Sequence, residues 1–353
     1  KNYNQIIEIA EQELNIGQDI KDIFQKAENE IKAFLEKCKQ KDLDCLFMLN
    51  LLTRTVYSCL VDADRYNAYC FENKAKSKKQ EQFSWEKYAK RLEERISTFS
   101  KDTEINRIRS IVSDLCYCAA SRPKGIYRLS VPTGGGKTLS SLRFALNHAK
   151  YHNAEHVIYV IPYLSIIDQT AKEIKKSLQY NENDNYILEH HSNFIIEEDK
   201  EKIQNHKLLT SRWDVPIIIT TMVQFLESIY SARASDLRKF HNMANSVIIF
   251  DEVQSLPLKC IHLFNEAINY LYNFGQCTVL LCTATQPPLE ETLRPLFLSD
   301  KPSLIPDMSS DFQKLKRTRL VNKTKLSGYT LEELRDFILE VFRREKNCLV
   351  ILN

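Results

Sequence analysis

Three glycines, a lysine and a threonine, Gly134-Gly135-Gly136-Lys137-Thr138, are the residues of this 353-residue chain best fitted to hold phosphate. Residues without a Cβ let successive backbone N–H groups converge on one anion, and the N-terminus of a following helix adds partial positive charge. Lys137 would then reach the β- and γ-phosphates, and the Thr138 hydroxyl would ligate Mg²⁺. The chain has only seven glycines, and four of them lie between 125 and 136. Glycine is concentrated where backbone must approach a ligand. The usual spacing, G-x-x-x-x-G-K-[ST], puts a glycine at its first position; here that place is Val131.

Downstream, the apolar run Ser246-Val-Ile-Ile-Phe250 delivers Asp251 and Glu252, followed by Val253 and Gln254. Adjacent carboxylates at the end of a buried strand suit nucleotide hydrolysis: the first holds Mg²⁺ through water, and the second orients or deprotonates the attacking water. The run 278–282 ends in Thr283, Ala284 and Thr285, small groups placed to hydrogen-bond the carboxylate pair and pass nucleotide state to a neighbouring domain. Two further strand ends leave two readings open. After 156–161 come Pro162 and Tyr163, and the run 216–220 ends in Thr220, with Thr221 and Gln224 following. Such hydroxyls and helix N-termini contact a sugar-phosphate backbone without reading bases. They also cap helices, which is the favoured reading of the two threonines taken alone. His148, His152 and His156 have ligand-like spacing, but a helix-to-strand turn falls before His156, so they read as surface or packing residues.

The elements that must position these groups follow from periodicity. Short runs rich in Val, Ile, Leu and Tyr at 126–131, 156–161, 186–189, 216–220, 246–250 and 278–282 alternate with helical segments, the pattern of an α/β fold with a parallel sheet and helices on both faces. Ligands of such sheets bind beyond the C-terminal strand ends, where the polar residues lie. The first 120 residues are instead helical, at 3–15, 19–39, 43–72, 84–98 and 103–120, with a lysine-rich loop at 73–82. The run 43–72 is apolar almost all round, and Asn50, Arg54, Asp62 and Asp64 interrupt it, so it reads as a buried helix and not a membrane span. Beyond Pro295 the chain turns irregular and basic, then Thr330 and Glu333 form a capping box ahead of a last helix.

Composition narrows the class. A formal charge of +3 is too small to argue nucleic-acid binding by itself. Ten cysteines lack zinc or disulfide spacing and read as reduced core residues of a cytoplasmic protein.

Together these motifs resemble the superfamily 2 helicases, and more closely the third CRISPR-associated protein family, the nuclease-helicases of type I systems. The resemblance rests on Val131-Pro-Thr-Gly-Gly-Gly-Lys-Thr138, Ile161-Pro-Tyr-Leu-Ser-Ile-Ile-Asp-Gln169, Trp213-Asp-Val-Pro216, Thr220-Thr-Met-Val-Gln224, Asp251-Glu-Val-Gln254 and Cys282-Thr-Ala-Thr-Gln-Pro287, over roughly residues 120–300. It implies a RecA-like motor domain in which Thr133, Gly134, Gly135, Gly136, Lys137 and Thr138 bind ATP. Thr138 and Asp251 hold Mg²⁺, Glu252 is catalytic, and Gln254, Thr283, Ala284 and Thr285 couple hydrolysis to movement. In that family Val131 at the first loop position is normal. The resemblance also turns Pro162, Tyr163, Thr220, Thr221 and Gln224 into contacts to single-stranded DNA.

In such proteins a helical histidine-aspartate (HD) nuclease domain precedes the motor. Leu60-Val-Asp-Ala-Asp-Arg-Tyr66 resembles its last metal-binding helix, with Asp64 as a ligand to a divalent transition metal. No histidine precedes His148, so the expectation is a fragment with an incomplete nuclease site, or a nuclease-less form. The expected divisions are 1–82, the end of the HD domain and linker; 83–122, a helical lead-in; 123–300, the first RecA-like domain; 301–347, a connector and helix; and 348–353, the first strand of a second RecA-like domain. The implied activity is ATP-dependent DNA unwinding after recruitment by a guide-RNA surveillance complex in antiviral defence. The chain alone is expected to bind nucleotide weakly and not to unwind. Two alternatives stand beside it: another superfamily 2 motor, such as a restriction translocase or RNA helicase, and a nucleotide-binding scaffold that does not hydrolyse.

Overall fold

The computed structural model describes residues 17–72, 83–181, 186–191, 200–315, 321–345 and 347–350. Each of the six apolar runs becomes a strand: β1 (Ile126–Ser130), β2 (His156–Ile161), β3 (Ile187–His190), β4 (Ile217–Thr221), β5 (Ser246–Asp251) and β6 (Thr278–Thr283). They form one sheet in the order β1-β6-β5-β2-β4-β3, every pairing parallel, as the alternation of apolar runs and helices leads one to expect. Parallel pairing aligns all C-terminal strand ends on one edge. Ser130 lies beside Thr283, Asp251 beside Cys282, and Ile161 beside Thr221.

Strand alternation divides the core between the two faces of the sheet. On one face Tyr159, Ile219, Ile249 and Leu280 pack with Leu92, Val112 and Phe144. Those partners come from α3 (Trp85–Ser97), α4 (Glu104–Ala119) and α5 (Lys137–His152). On the other face Ile158, Ile218, Ile248 and Phe250 pack with Met48, Phe225 and Phe264. Those belong to α2 (Cys45–Glu72), α8 (Met222–Tyr230) and α10 (Ile261–Asn273). The remaining helices of this unit are α1 (Gly17–Gln40), α6 (Leu164–Ser177), α7 (Lys200–Arg212), α9 (Ala234–Leu237) and α11 (Ser309–Gln313). The outer edge of β1 is covered by the chain at 302–304, where Arg128 N–H donates to Pro302 O (2.8 Å) and Leu304 N–H donates to Arg128 O (2.9 Å). Covering an edge strand this way removes a template for unwanted pairing.

The expectation of a buried helix over 43–72 needs correcting. Only Met48, Leu51, Ser58 and Asp62 of α2 are buried, while Leu46, Val56, Leu60 and Phe71 are exposed. α2 is long and apolar enough, by length and composition, to cross a membrane. Its middle is nevertheless bonded to the sheet unit. Arg54 donates to Ile229 O (3.2 Å) and Ser231 O (3.1 Å), Thr55 pairs with the Tyr270 hydroxyl (2.8 Å), and Asp62 accepts from Arg212 and Arg238. An apolar composition therefore marks a helix that docks by one polar-centred face.

All ten cysteines are free; Cys38, Cys116, Cys277 and Cys282 are buried, whereas Cys59, Cys118 and Cys348 are exposed and do not belong to the core. Residues 1–315 form one compact unit and 316–353 another. The second contains α12 (Leu331–Glu345), opened by the expected capping box: Glu333 N–H donates to Thr330 Oγ1 (3.2 Å) and Thr330 N–H to Glu333 Oε2 (3.0 Å). Residues 347–350 are not in a strand, and 351–353 lie outside the described residues, as do the expected helix at 3–15 and the loop at 73–82.

Candidate functional site

The glycine loop sits between β1 and α5, at the C-terminal edge of the sheet. Gly134 and Gly136 have φ of 85° and 84°, a left-handed backbone that side chains rarely tolerate. At Gly135 the constraint is space: an added Cβ would lie 2.5 Å from Val131 Cγ1. The valine in place of the usual first glycine thus fills the room that a fifth-position side chain would need. Gly136 is the N-cap residue of α5, with no side chain of its own to occupy the free N–H groups of the first turn. Such a cradle fits a phosphate.

Lys137, in the first turn of α5, turns to the end of β5. Its ammonium contacts Glu252 Oε1 and lies 3.2 Å from Asp251 Oδ1. Gln254 Nε2 donates to Glu252 Oε2 (2.6 Å), and the Thr283 hydroxyl donates to Gln254 Oε1. Thr285 N–H donates to Thr283 Oγ1 (3.1 Å), and Val131 N–H donates to Thr283 O (3.1 Å), which returns to the base of the loop. The loop, the carboxylate pair and the third strand end therefore form one closed hydrogen-bonded circuit. Ala284 and Thr285 are exposed beside it.

Glu252 reaches this position through a left-handed backbone, φ 48° and ψ 48°, rare for a non-glycine residue. Such strain is found where the surrounding structure holds a side chain for function. Burial raises the Asp251 carboxyl above its ordinary value, against the opposing charge of Lys137. Burial also acts on Glu252, but hydrogen bonds from Gln254 and Lys137 outweigh it and hold that carboxyl below its ordinary value. For Lys137 desolvation is outweighed by the two carboxylates, and the ammonium is held above its usual range. The two acids differ in character: Asp251 is deep beside Cys282, and Glu252 is half-buried and hydrogen-bonded. Thr138 and Asp251 supply the oxygen donors that suit a hard cation.

Beside the loop, α3, α4 and α5 enclose a cleft of about 640 Å³ lined by Phe99, Asn106, Arg109, Gly136, Leu139 and Arg143, among others. Arg109 Nε donates to Gly134 O (2.7 Å), bracing the loop. Arg143 is held by Glu93 through two bonds (2.7 and 2.6 Å) and by Asp114 (2.7 Å). Sequence reasoning missed this wall. Its only trace in the sequence of α4 is a polar stripe, Asn106, Ser110 and Asp114 opposite the apolar Ile108 and Val112, which any solvated helix face also shows.

The other strand ends behave differently from one another. Tyr163, the N-cap of α6, is 53% exposed, and Pro162 is half-buried. Thr220 is fully buried and its hydroxyl donates to His190 O (2.9 Å). Thr221 caps α8 by accepting from Gln224 N–H (3.2 Å). Both hydroxyls are used internally, so the accessible groups on this edge are Tyr163, Val223 and Gln224, whose amide donates to Glu227 (2.9 Å). Asp64 is exposed on α2 and belongs to no group of metal-ligating side chains among the described residues; Asp62 has the buried position instead. His148 is buried, bonded to Ala120 O and Thr278 Oγ1 (both 2.8 Å), a packing residue as expected.

Residues 106–292 match the family model described as DEAD/DEAH box helicase. A CRISPR-associated nuclease/helicase Cas3 of Haloferax volcanii is 28% identical over 184 residues, 46% of this chain and 19% of that protein, so the chain spans about a fifth of that relative. Among solved structures, T. fusca Cas3 with ADP aligns with a TM-score of 0.45 and 19% identity, over 56% of this chain and 22% of that one. The DUF1998 helicase MrfA bound to DNA aligns with a TM-score of 0.41 and 14% identity, over 58% and 28%.

Proposed function

Because this chain belongs to the DEAD/DEAH box helicase family, whose model spans more than half of it, we propose that it is the nucleotide-binding motor domain of an ATP-dependent DNA helicase of the CRISPR-associated nuclease/helicase kind. The observation that carries the reading is the circuit Lys137–Glu252–Gln254–Thr283–Val131 around the glycine loop. It joins a phosphate cradle to a carboxylate pair and to a third strand end, which is what converting hydrolysis into movement requires.

In this reading Thr133, Gly134, Gly135, Gly136 and Lys137 hold the triphosphate, and Thr138 with Asp251 holds Mg²⁺. MgATP supplies the phosphoanhydride bond that is cleaved. Lys137 exchanges its carboxylate partners for phosphate oxygens, which frees Glu252 to orient a water and accept its proton. Phosphate entry therefore also prepares the base. Gln254 and Thr283 register the change at Glu252, and Thr283 passes it to Val131 and Thr285. The cleft beside Leu139 takes the nucleobase, with the Asn106 amide offering both a donor and an acceptor to its edge. Tyr163 and Gln224 face the single-stranded DNA. A guide-RNA surveillance complex as recruiter, a cytoplasmic location and a nuclease metal on Asp64 belong to the same proposal.

The test is ATP hydrolysis by the intact protein with single-stranded DNA or with RNA of the same sequence, alongside binding of a fluorescent ATP analogue. Stimulation by DNA and loss of analogue binding in K137A are expected. Stimulation by RNA alone would move the reading to an RNA helicase. Analogue binding unchanged in K137A would remove the site.

A further inference from the structure

The C-terminal end of the edge strand carries a second constellation that the nucleotide site does not use. Alternation along β3 sends His190 to one side, where its Nδ1 accepts from Trp213 Nε1 (2.9 Å), and sends Glu189 and His191 to the other, against α6. From α6, Asp168 and Lys175 stand two turns apart, Asp168 facing His191 and Lys175 facing Glu189. We propose that Asp168, Glu189 and His191 form a binding site for one divalent transition-metal ion, best matched by zinc, which fastens the first turns of α6 to the end of β3.

The distances fit a shared ion better than direct ion pairs. His191 Nε2 lies 3.8 Å from Asp168 Oδ1 and 3.7 Å from Glu189 Oε2. An N–H···O hydrogen bond needs about 2.7–3.2 Å. Two ligands bound tetrahedrally at about 2.1 Å each stand about 3.4 Å apart. The three donor atoms all lie within 4.8 Å of one another, so closing onto an ion asks for side-chain shifts of no more than about an ångström. The donor set is also selective. A buried imidazole nitrogen with two carboxylate oxygens suits zinc or cobalt, whereas magnesium and calcium take oxygen. The His191 side chain is 1% exposed and that of Glu189 is 9%, so two of the three ligands are fixed by packing; Asp168, 64% exposed, closes the site from α6.

Lys175 is the obvious competitor, since its ammonium pairs with Glu189. It contacts Oε1, however, and so leaves Oε2 turned toward His191. Two carboxylates against one ammonium leave carboxylate charge in excess, which attracts a dication. Lys175 thus acts as an outer partner that orients a ligand. Three protein ligands leave a fourth position open, at the same sheet edge as Tyr163.

The experiment is a cobalt titration of the metal-stripped chain without nucleotide, followed by visible absorption, with zinc displacement. A visible d–d band at one equivalent is expected, together with at least a tenfold loss of affinity in H191A and in D168A. Zinc should raise the melting temperature by about 3–6 °C at a hundredfold excess over its dissociation constant, and magnesium should not. Absence of the band overturns the proposal, as does an unchanged band and affinity in D168A, whose exposed position keeps folding out of the question. ATP-analogue binding should be retained in D168A, so the outcome is independent of the nucleotide site.

Discussion

Lys137 contacts Glu252 directly, and this pairing sets what each residue's removal should do. E252Q keeps the shape and the bond from Gln254 but cannot accept a proton. Hydrolysis in the intact protein should fall about 10²–10⁴-fold, with ATP-analogue affinity kept or improved because Lys137 is released. Equal loss of binding and turnover in a filter-binding and phosphate-release comparison would mean that Glu252 is structural. These residues were legible in the sequence because their chemistry demands a fixed spacing from strand ends. Asn106 and Arg109 were not. Their polar stripe on α4 has the appearance of any solvated helix face, and only the fold brings it against Gly134 and Leu139. Thr220 shows why a residue type alone leaves two readings open: a threonine at a strand end offers the same group to a phosphate and to a neighbouring carbonyl, and here the buried hydroxyl donates to His190 O.

Among the elements, the six strands could be read within a residue or two because each is a short run rich in Val, Ile, Leu or Tyr between turn signals, while the extent of burial on α2 could not be read at all. Composition measures how apolar a helix is, not how many of its faces meet a partner. The loop between β1 and α5 allows a sharper test. G135A would place a Cβ 2.5 Å from Val131 Cγ1 and 3.1 Å from Pro132 O, so it should lower stability by about 1–3 kcal/mol and weaken nucleotide binding. Shortening the obstacle in the double variant V131A/G135A should recover part of that stability in a denaturant melt; no recovery would separate the two positions. The β1–α5 layer also carries an acid limit. Burial, then the neighbouring His152, depresses His148 from 6.5 to about 4. A depressed histidine contributes stability above pH 6.5, and the contribution is lost as pH falls from 6.5 toward 4, up to about 3 kcal/mol. The unfolding free energy of the native chain should therefore drop over that window, and H148Q should flatten the drop.

At the scale of the whole molecule, the order of motifs from the glycine loop to Thr285 was legible because the sheet must bring every strand end to one edge. How α2 attaches to that sheet was not, because the attachment runs through charges that sequence reading gives to solvent or to metal. In Leu60-Val-Asp-Ala-Asp-Arg-Tyr66 the two aspartates have opposite surroundings. Asp62 accepts from Arg238 Nε (2.6 Å) and Arg212 Nε (3.0 Å), with His241 nearby at 3.8 Å, while Asp64 is exposed. Arg238 lies two residues before the turn at Phe240–Met243 that leads into β5, so the aspartate tethers α2 to the segment feeding Asp251 and Glu252. Removing one partner of a buried pair leaves the other charge uncompensated, at a cost of about 3–5 kcal/mol. D62A should lower the unfolding free energy by about that amount, whereas D64A should change it by less than about 0.5 kcal/mol. Urea melts of the two variants decide the point. A comparable loss in D64A would give Asp64 a structural role in this unit, and a neutral D62A would mean that the contacts at Met48, Leu51, Arg54 and Thr55 hold α2 without it.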